Sequence, residues 1–355
     1  MKTKLSKYVH RFLTGLASLL VSGVFLLGIC QVADPMGMVH KLYAYAVALE
    51  LPLADDSLWL KLGAASLGIA ELVLGIYLLV QMHPRFTKMA LLLFMSVFTA
   101  LTAWIYVASP VADCGCFGEA VILTNGETLV KNIILLAAII YLIYSPTRPR
   151  RLISQRNAWL VSIYTWIYSI ALTLYSFHYL PIIEFTPYKV GADIRAAFEG
   201  KAGDGEAEKL VNFYLSDPQT GEDRTFEFLA DTDTPSADCL YTQTADDGCC
   251  DRINDLHDYC TEHRLPFYMA TASDSAGISD WGDRTGAAYP VVYAENTELK
   301  AMVRSNPGLL LLHNGKVAGK WSNNDLPELD TPGARIEDWM PHHHTSPLGD
   351  CCCGL

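Results

Sequence analysis

Leu62-Gly63-Ala64-Ala65-Ser66-Leu67-Gly68-Ile69-Ala70-Glu71 decides how this chain is built. It lies in an apolar run from Leu58 to Val80, and a helix needs about 20 such residues to cross a bilayer. Its glycines, alanines and serine let helices approach closely in lipid, where packing rather than water exclusion drives association. Four more runs have this character: Phe12 to Cys30, Met89 to Ala108, Leu129 to Tyr144 and Ala158 to Leu180. The sequence therefore predicts five membrane-spanning helices.

Basic residues orient them, because cytoplasmic loops are enriched in Lys and Arg. Lys2, Lys4, Lys7 and Arg11 precede the first run, Arg85 and Lys88 follow the second, and Arg148, Arg150, Arg151 and Arg156 follow the fourth. The alternate loops hold Asp34, Glu50, Asp55 and Asp56 against Lys41, then Asp113, Glu119 and Glu127 without a base. The expectation is a cytoplasmic N-terminus and an extracytoplasmic C-terminal half, in a bacterial-type inner membrane. The first run has the basic start of a cleaved signal, but no small-x-small site follows it, so it reads as a retained helix.

Charge divides the 355 residues in the same place. Residues 1–181 carry 13 Lys+Arg and 8 Asp+Glu, a balance of +5, whereas residues 182–355 carry 13 and 30, a balance of −17. An acidic soluble half argues against nucleic acid as a partner and offers no attraction to anionic lipid. With this orientation all 10 cysteines fall on the outer side or at outer helix ends, where disulfides form and exchange.

Glu71 then lies about ten residues, ~15 Å, below the outer end of its helix, near the bilayer midplane. An ionisable group at that depth is costly and marks a functional site. It reads either as a proton relay serving a lipid-soluble electron carrier or as a protonated acid bonded to a neighbouring helix. Lys61 and Lys131, near outer ends, are expected to snorkel to the headgroups.

Between the third and fourth runs stands Asp113-Cys114-Gly115-Cys116-Phe117-Gly118-Glu119. A disulfide needs Cα atoms within ~7 Å, which two cysteines one residue apart meet only if the chain bends, and Gly115 permits the bend. Such a bond opens readily, as exchanging disulfides do. Asp113 and Glu119 oppose thiolate formation. Cys114 and Cys116 are thus read as an exchanging pair, with a bridge that only pins the loop as the rival. Zinc pairs more often have two to four residues between ligands. Cys30 is either a third thiol for exchange or, more in keeping with its apolar flanks, a buried small hydrophobe.

The apolar residues Met36, Met38, Val39, Leu42, Tyr43 and Tyr45 suit a short helix on the outer rim of a four-helix bundle, residues 1–147. A basic loop and fifth helix follow in 148–181, then a linker region in 182–237 with strands near 210–215 and 225–229. The remainder, 238–330, alternates a helix at Asp251 to His263, strand at Pro266 to Thr271, helix at Ser275 to Thr285, strand at Pro290 to Tyr293 and helix at Asn296 to Val303. It closes on a hairpin through Asn314-Gly315, an α/β pattern. Cys249-Cys250 open the first of these helices among Asp246, Asp247 and Asp251, and are read with Cys239 and Cys260 as structural disulfides. The tail, 331–355, holds His342-His343-His344 and Cys351-Cys352-Cys353, metal-ligand types without fixed spacing.

Residues 5–145 resemble the DoxX/MauE family: four spans, Ala33-Asp34-Pro35 after the first, Glu71 in the second, and Asp113-Cys114-Gly115-Cys116-Phe117-Gly118-Glu119 before the fourth. The fifth helix, the appended domain and Pro187-Tyr188-Lys189-Val190-Gly191 are reminiscent of one subgroup. Relatives often have lysine where this chain has Gln31. MauE is associated with disulfide formation or maturation of a periplasmic dehydrogenase alongside a thioredoxin-like partner, and DoxX with a thiosulfate-quinone oxidoreductase. Residues 249–321 look like the later part of a thioredoxin fold of the peroxiredoxin or TlpA kind, on Tyr289-Pro290-Val291-Val292-Tyr293 and Ser305-Asn306-Pro307-Gly308-Leu309. That resemblance implies a cis Pro307 facing the redox position. The Cys-x-x-Cys is missing, and Leu240 to Gly248 is too polar and short for the usual central strand.

The expectation is an α-helical membrane protein with an extracytoplasmic α/β thioredoxin-like domain that is itself redox-inactive. Its function is read as thiol-disulfide exchange between a quinone and an extracytoplasmic thiol protein, through Cys114, Cys116 and Glu71. The rival is a non-enzymatic membrane assembly factor or scaffold.

Overall fold

The computed structural model describes residues 2–54, 57–108, 124–145, 153–154, 156–194, 216, 236–241, 249–313 and 315–327. The chain divides into two compact units, Met1–Phe185 and Thr186–Leu355.

In the first unit α1 (Lys2–Leu26) passes through one tight turn at Leu27 into α2 (Gly28–Ala33). Leu27 N bonds Val24 O at 3.1 Å and Cys30 N bonds Leu27 O at 2.9 Å, the three-residue spacing of a narrower helical turn. Tyr8–Ala33 is therefore one apolar span of 26 residues. Asp34 stops it: its carboxylate accepts from Gly37 N at 3.3 Å, and Pro35 takes the first position of α3 (Pro35–Ala48). A proline there sacrifices no helical hydrogen bond. Met38 and Val39 of α3 pack with Leu60 and Ala64, so the rim helix read from the sequence is present and seated.

α4 (Leu58–Val80), α5 (Pro84–Ala108), α6 (Asn125–Tyr144) and α7 (Ala158–His178) supply the other four apolar spans. The first of these matches the sequence expectation; α6 begins four residues earlier than expected, at a capping box. Thr124 Oγ1 accepts from Glu127 N at 3.3 Å while Thr124 N donates to Glu127 Oε2 at 2.9 Å.

Val21 and Phe25 of α1, Leu78 of α4, Leu91 and Met95 of α5, and Leu135, Ile139 and Leu142 of α6 make one core. The outward faces carry exposed Leu19, Phe86, Leu93, Val97, Ile133, Ile134, Ile167 and Leu174. A helix in water shows the reverse pattern, polar outside and apolar inside. α7 lies against α2, α3 and α4 with a stripe of buried hydroxyls, Thr165, Ser169, Thr173 and Ser176. The first three donate to the carbonyl four residues back at 2.7–2.9 Å, which satisfies them within their own helix.

The second unit is built on a five-stranded sheet of β1 (Ser236–Tyr241), β2 (Phe267–Thr271), β3 (Val291–Tyr293), β4 (Gly308–His313) and β5 (Lys316–Ser322). Their order is β3-β2-β1-β4-β5, with β1, β2 and β3 parallel and β4 and β5 antiparallel. Helices α8 (Cys250–His263), α9 (Ser275–Thr285) and α10 (Asn296–Met302) connect the parallel strands and lead to β4. Ile253, Leu256, Phe267, Met269, Trp281, Leu309 and Leu311 form its core.

Two sequence expectations change here. The central strand exists, but at Ser236–Tyr241, upstream of the stretch judged too polar; it straddles the boundary drawn between linker and domain at residue 238. Its membership is set by ladder partners on both sides, Phe267–Thr271 and Gly308–Leu312, which a composition reading cannot see. The supposed linker is partly structural. Gly191 N donates to Val317 O and Ile194 N to Gly315 O, and Ser216 exchanges two backbone bonds with Tyr293. Each edge strand of the sheet thereby carries one short bridge, at Lys316 and at Tyr293. Residues 210–215, 225–229, Asn314 and the tail 331–355 lie outside the described residues.

Candidate functional site

Close helix approach creates the polar centre of the bundle. A Cβ on Gly28 would sit 2.8 Å from Glu71 Cβ and 2.9 Å from Leu72 N; one on Gly68 would sit 3.1 Å from Gln31 Cβ. Because neither glycine has a side chain, α2 and α4 touch backbone to backbone. That contact brings Gln31 Nε2 within 3.0 Å of Glu71 Oε2, to which it donates. Gln31 is buried and Glu71 half-buried. A carboxylate among apolar helices needs such a donor, since an unmet polar group in hydrocarbon costs several kcal/mol.

Glu71 also lines a small cavity of about 20 Å³ with Val24, Phe25, Phe94, Met95, Phe98, Lys131, Asn132 and Leu135. A space this size holds one water molecule. It does not admit a quinone ring. Phe94 and Phe98 stack at 4.6 Å to form its aromatic wall. Asn132, buried, donates from Nδ2 to Thr102 Oγ1 at 3.2 Å and so joins α6 to α5.

Lys131 therefore does not simply snorkel. Thr128, Asn132, Leu135, Ile139 and Leu142 form the buried stripe of α6, and Lys131 lies three residues after Thr128 and four before Leu135, on that face. The helical period could have revealed this; proximity to a helix end suggested the opposite. Gln31, met in the sequence only where relatives carry lysine, is the partner of Glu71.

Cys114 and Cys116 lie outside the described residues. The elements on either side of 109–123 are fixed together: α5 ends at Ala108, α6 begins at Asn125, and the Asn132–Thr102 bond ties them. A Cβ on Gly126 would meet the Tyr106 ring at 3.5 Å, so the two ends are in van der Waals reach. Cys30, half-buried, stands near the C-terminal end of the first span, the same end of the bundle at which α5 finishes and α6 starts.

In the second unit Cys249 caps α8, Cys250 begins it, and Cys260 lies near its far end; all three are buried in the core. Of the disulfides expected among Cys239, Cys249, Cys250 and Cys260, none joins the last three to one another, and the Cys239 side chain lies outside the described residues. Ten residues of helix separate Cys250 from Cys260, ~15 Å along the axis, beyond the reach of a disulfide. The Asn306–Pro307 peptide bond is cis, directly before β4. Among the described residues no group of three or more His, Cys, Asp or Glu is placed to hold a metal ion.

Tyr188 anchors the start of this unit. Its side chain is fully buried and its hydroxyl donates to Glu298 Oε2 at 2.5 Å. Burial first, then the carboxylate of Glu298, pushes the phenol well above the ordinary tyrosine range.

No curated protein and no solved structure matches the chain. Residues 5–145 match the model of a family described as methylamine utilisation protein MauE. With five helices long and apolar enough to cross a bilayer this is a multi-pass membrane protein, and over residues 5–145 it is similar to the MauE family.

Proposed function

We propose that the protein is a membrane thiol-disulfide redox component whose exchanging pair is Cys114 and Cys116. The observation that carries this reading is the Cys-Gly-Cys sequence between helix ends that the Asn132–Thr102 bond and the Gly126–Tyr106 contact hold side by side. Backbone geometry alone keeps the Cα atoms of two cysteines one residue apart within ~7 Å.

Written as an oxidation, a partner's two thiols become a disulfide while the Cys114–Cys116 disulfide becomes two thiols. The pair returns to the disulfide by giving two electrons and two protons to a quinone, which leaves as the quinol. The reverse flow uses the same steps backward. The quinone meets the pair at the membrane surface of the bundle, since the cavity at Glu71 is too small for it. Glu71 serves as a proton relay inside.

The second unit is proposed as an extracytoplasmic, thioredoxin-like docking domain. Support comes from its strand order β3-β2-β1-β4-β5, from α8 following the central strand, and from Pro307 at the head of β4. The missing Cys-x-x-Cys and the burial of Cys249 and Cys250 fit docking rather than catalysis. Basic loops at the other end support a cytoplasmic N-terminus.

A Cys116→Ser variant tests this. In this variant the Cys114 thiolate attacks a partner disulfide, forming a Cys114–partner mixed disulfide and releasing one partner thiol. Without Cys116 the reduction is not completed, so a covalent adduct accumulates on non-reducing gels. Lack of any adduct in cells favours the second reading, a membrane assembly scaffold, to which the carboxylates of Asp113 and Glu119 lend support by disfavouring thiolates.

A further inference from the structure

We infer that Lys131 is the charge partner of Glu71, and that the two, with one water between them, make an internal charge-balanced proton site. The inference deepens the relay reading of Glu71 given above, and it rests on geometry that is independent of the cysteines.

Glu71 on α4 and Lys131 on α6 line the same cavity of about 20 Å³, which is otherwise walled by Val24, Phe25, the Phe94–Phe98 stack, Met95 and Leu135. Among the described residues no other ionisable side chain lines it; α1 and α5 contribute only apolar groups, and the remaining polar member is Asn132. Gln31 faces α4 from the adjoining α2 as the neutral donor to Glu71. Opposite charges that share so small an apolar space attract far more strongly than at a surface. Each supplies the other's compensation, and a single water fits the space and can bridge them. A carboxylate and an ammonium linked by one water can pass a proton between them without net charge entering the bilayer.

Isolation of either group is the costly state. The test is a double-mutant cycle on the full-length protein in lipid nanodiscs, read by thermal unfolding. Lys131→Met keeps the length and apolar packing but removes the charge. It should lower the midpoint by roughly 5 °C or more, as should Glu71→Gln, whereas the double variant should recover most of the loss. Lys131→Arg should stay near the parent. Where the single variants fail to accumulate, the charge-swapped pair Glu71→Lys with Lys131→Glu should still accumulate in the membrane. Additive losses in the double variant, or failure of both the double and the swapped proteins, overturn the pairing.

A second readout addresses the relay. Quinone-driven oxidation of the Cys114–Cys116 thiols should slow at least tenfold in Lys131→Gln and be retained in Lys131→Arg. Equal rates in both remove the relay role. If these cysteines never cycle in the parent protein, the redox reading fails while the stability coupling still decides the pairing.

Discussion

Gln31 Nε2 donates to Glu71 Oε2 at 3.0 Å, across two helices that touch through Gly28 and Gly68. The bond explains how a carboxylic acid is accommodated within an apolar helix, and it makes Gln31 a residue whose loss has a definite cost. Gln31→Leu is isosteric enough to keep packing but removes the donor. We expect a loss of about 1–3 kcal/mol, the penalty of leaving a buried acceptor short of its partner. Thermal unfolding in nanodiscs measures it, and an unchanged midpoint would show that the bond contributes nothing.

The glycine contact predicts a contrast within one helix pair. Gly28→Ala forces a Cβ to within 2.8 Å of Glu71 Cβ and 2.9 Å of a backbone nitrogen, so α2 and α4 must part. Overpacking of this kind costs about 1–3 kcal/mol. Gly15→Ala and Gly23→Ala meet nothing within 4 Å and should be neutral or stabilising by up to ~1 kcal/mol, the ordinary gain of alanine in a helix. Ranking the three variants by unfolding temperature checks the argument.

The membrane half was legible because hydropathy and helix length are properties of a single segment. Leu58–Val80 came out to the residue, and Asn125–Tyr144 fell short only because the capping box at Thr124 precedes the apolar run. Contacts between segments were not legible in the same way. Lys131 was assigned by depth, whereas its neighbours Thr128 and Leu135 fix its face. β1 was missed because Ser236-Ala237-Asp238-Cys239-Leu240-Tyr241 lacks the apolar run expected of a central parallel strand, and its place comes from two ladders formed with distant residues. Of the pairings expected among Cys239, Cys249, Cys250 and Cys260, the one between Cys250 and Cys260 is excluded by distance along a helix, a test the sequence itself allowed once that helix was drawn.

Tyr188 gives the second unit a particular response to alkali. Below about pH 10 its phenol is neutral whether the chain is folded or not, so the buried bond to Glu298 is fully present. Above the ordinary tyrosine value of 10.0 the unfolded chain ionises while the folded one retains its proton, and stability falls as pH rises. Tyr188→Phe removes this dependence, at a cost near neutrality of roughly 1–3 kcal/mol for the carboxylate left without its donor. Denaturant titrations at pH 8 and above pH 10 should therefore show the parent losing more stability with pH than Tyr188→Phe. Parallel losses would exclude Tyr188 as the cause.

The exchange chemistry itself is most directly tested by differential alkylation of Cys114 and Cys116 in intact membranes, with mass-spectrometric reading of each site. The account predicts that both label as thiols after quinol treatment and that both become protected together after quinone treatment. A pair that stays in one state under every poise contradicts it and leaves the bundle as a scaffold.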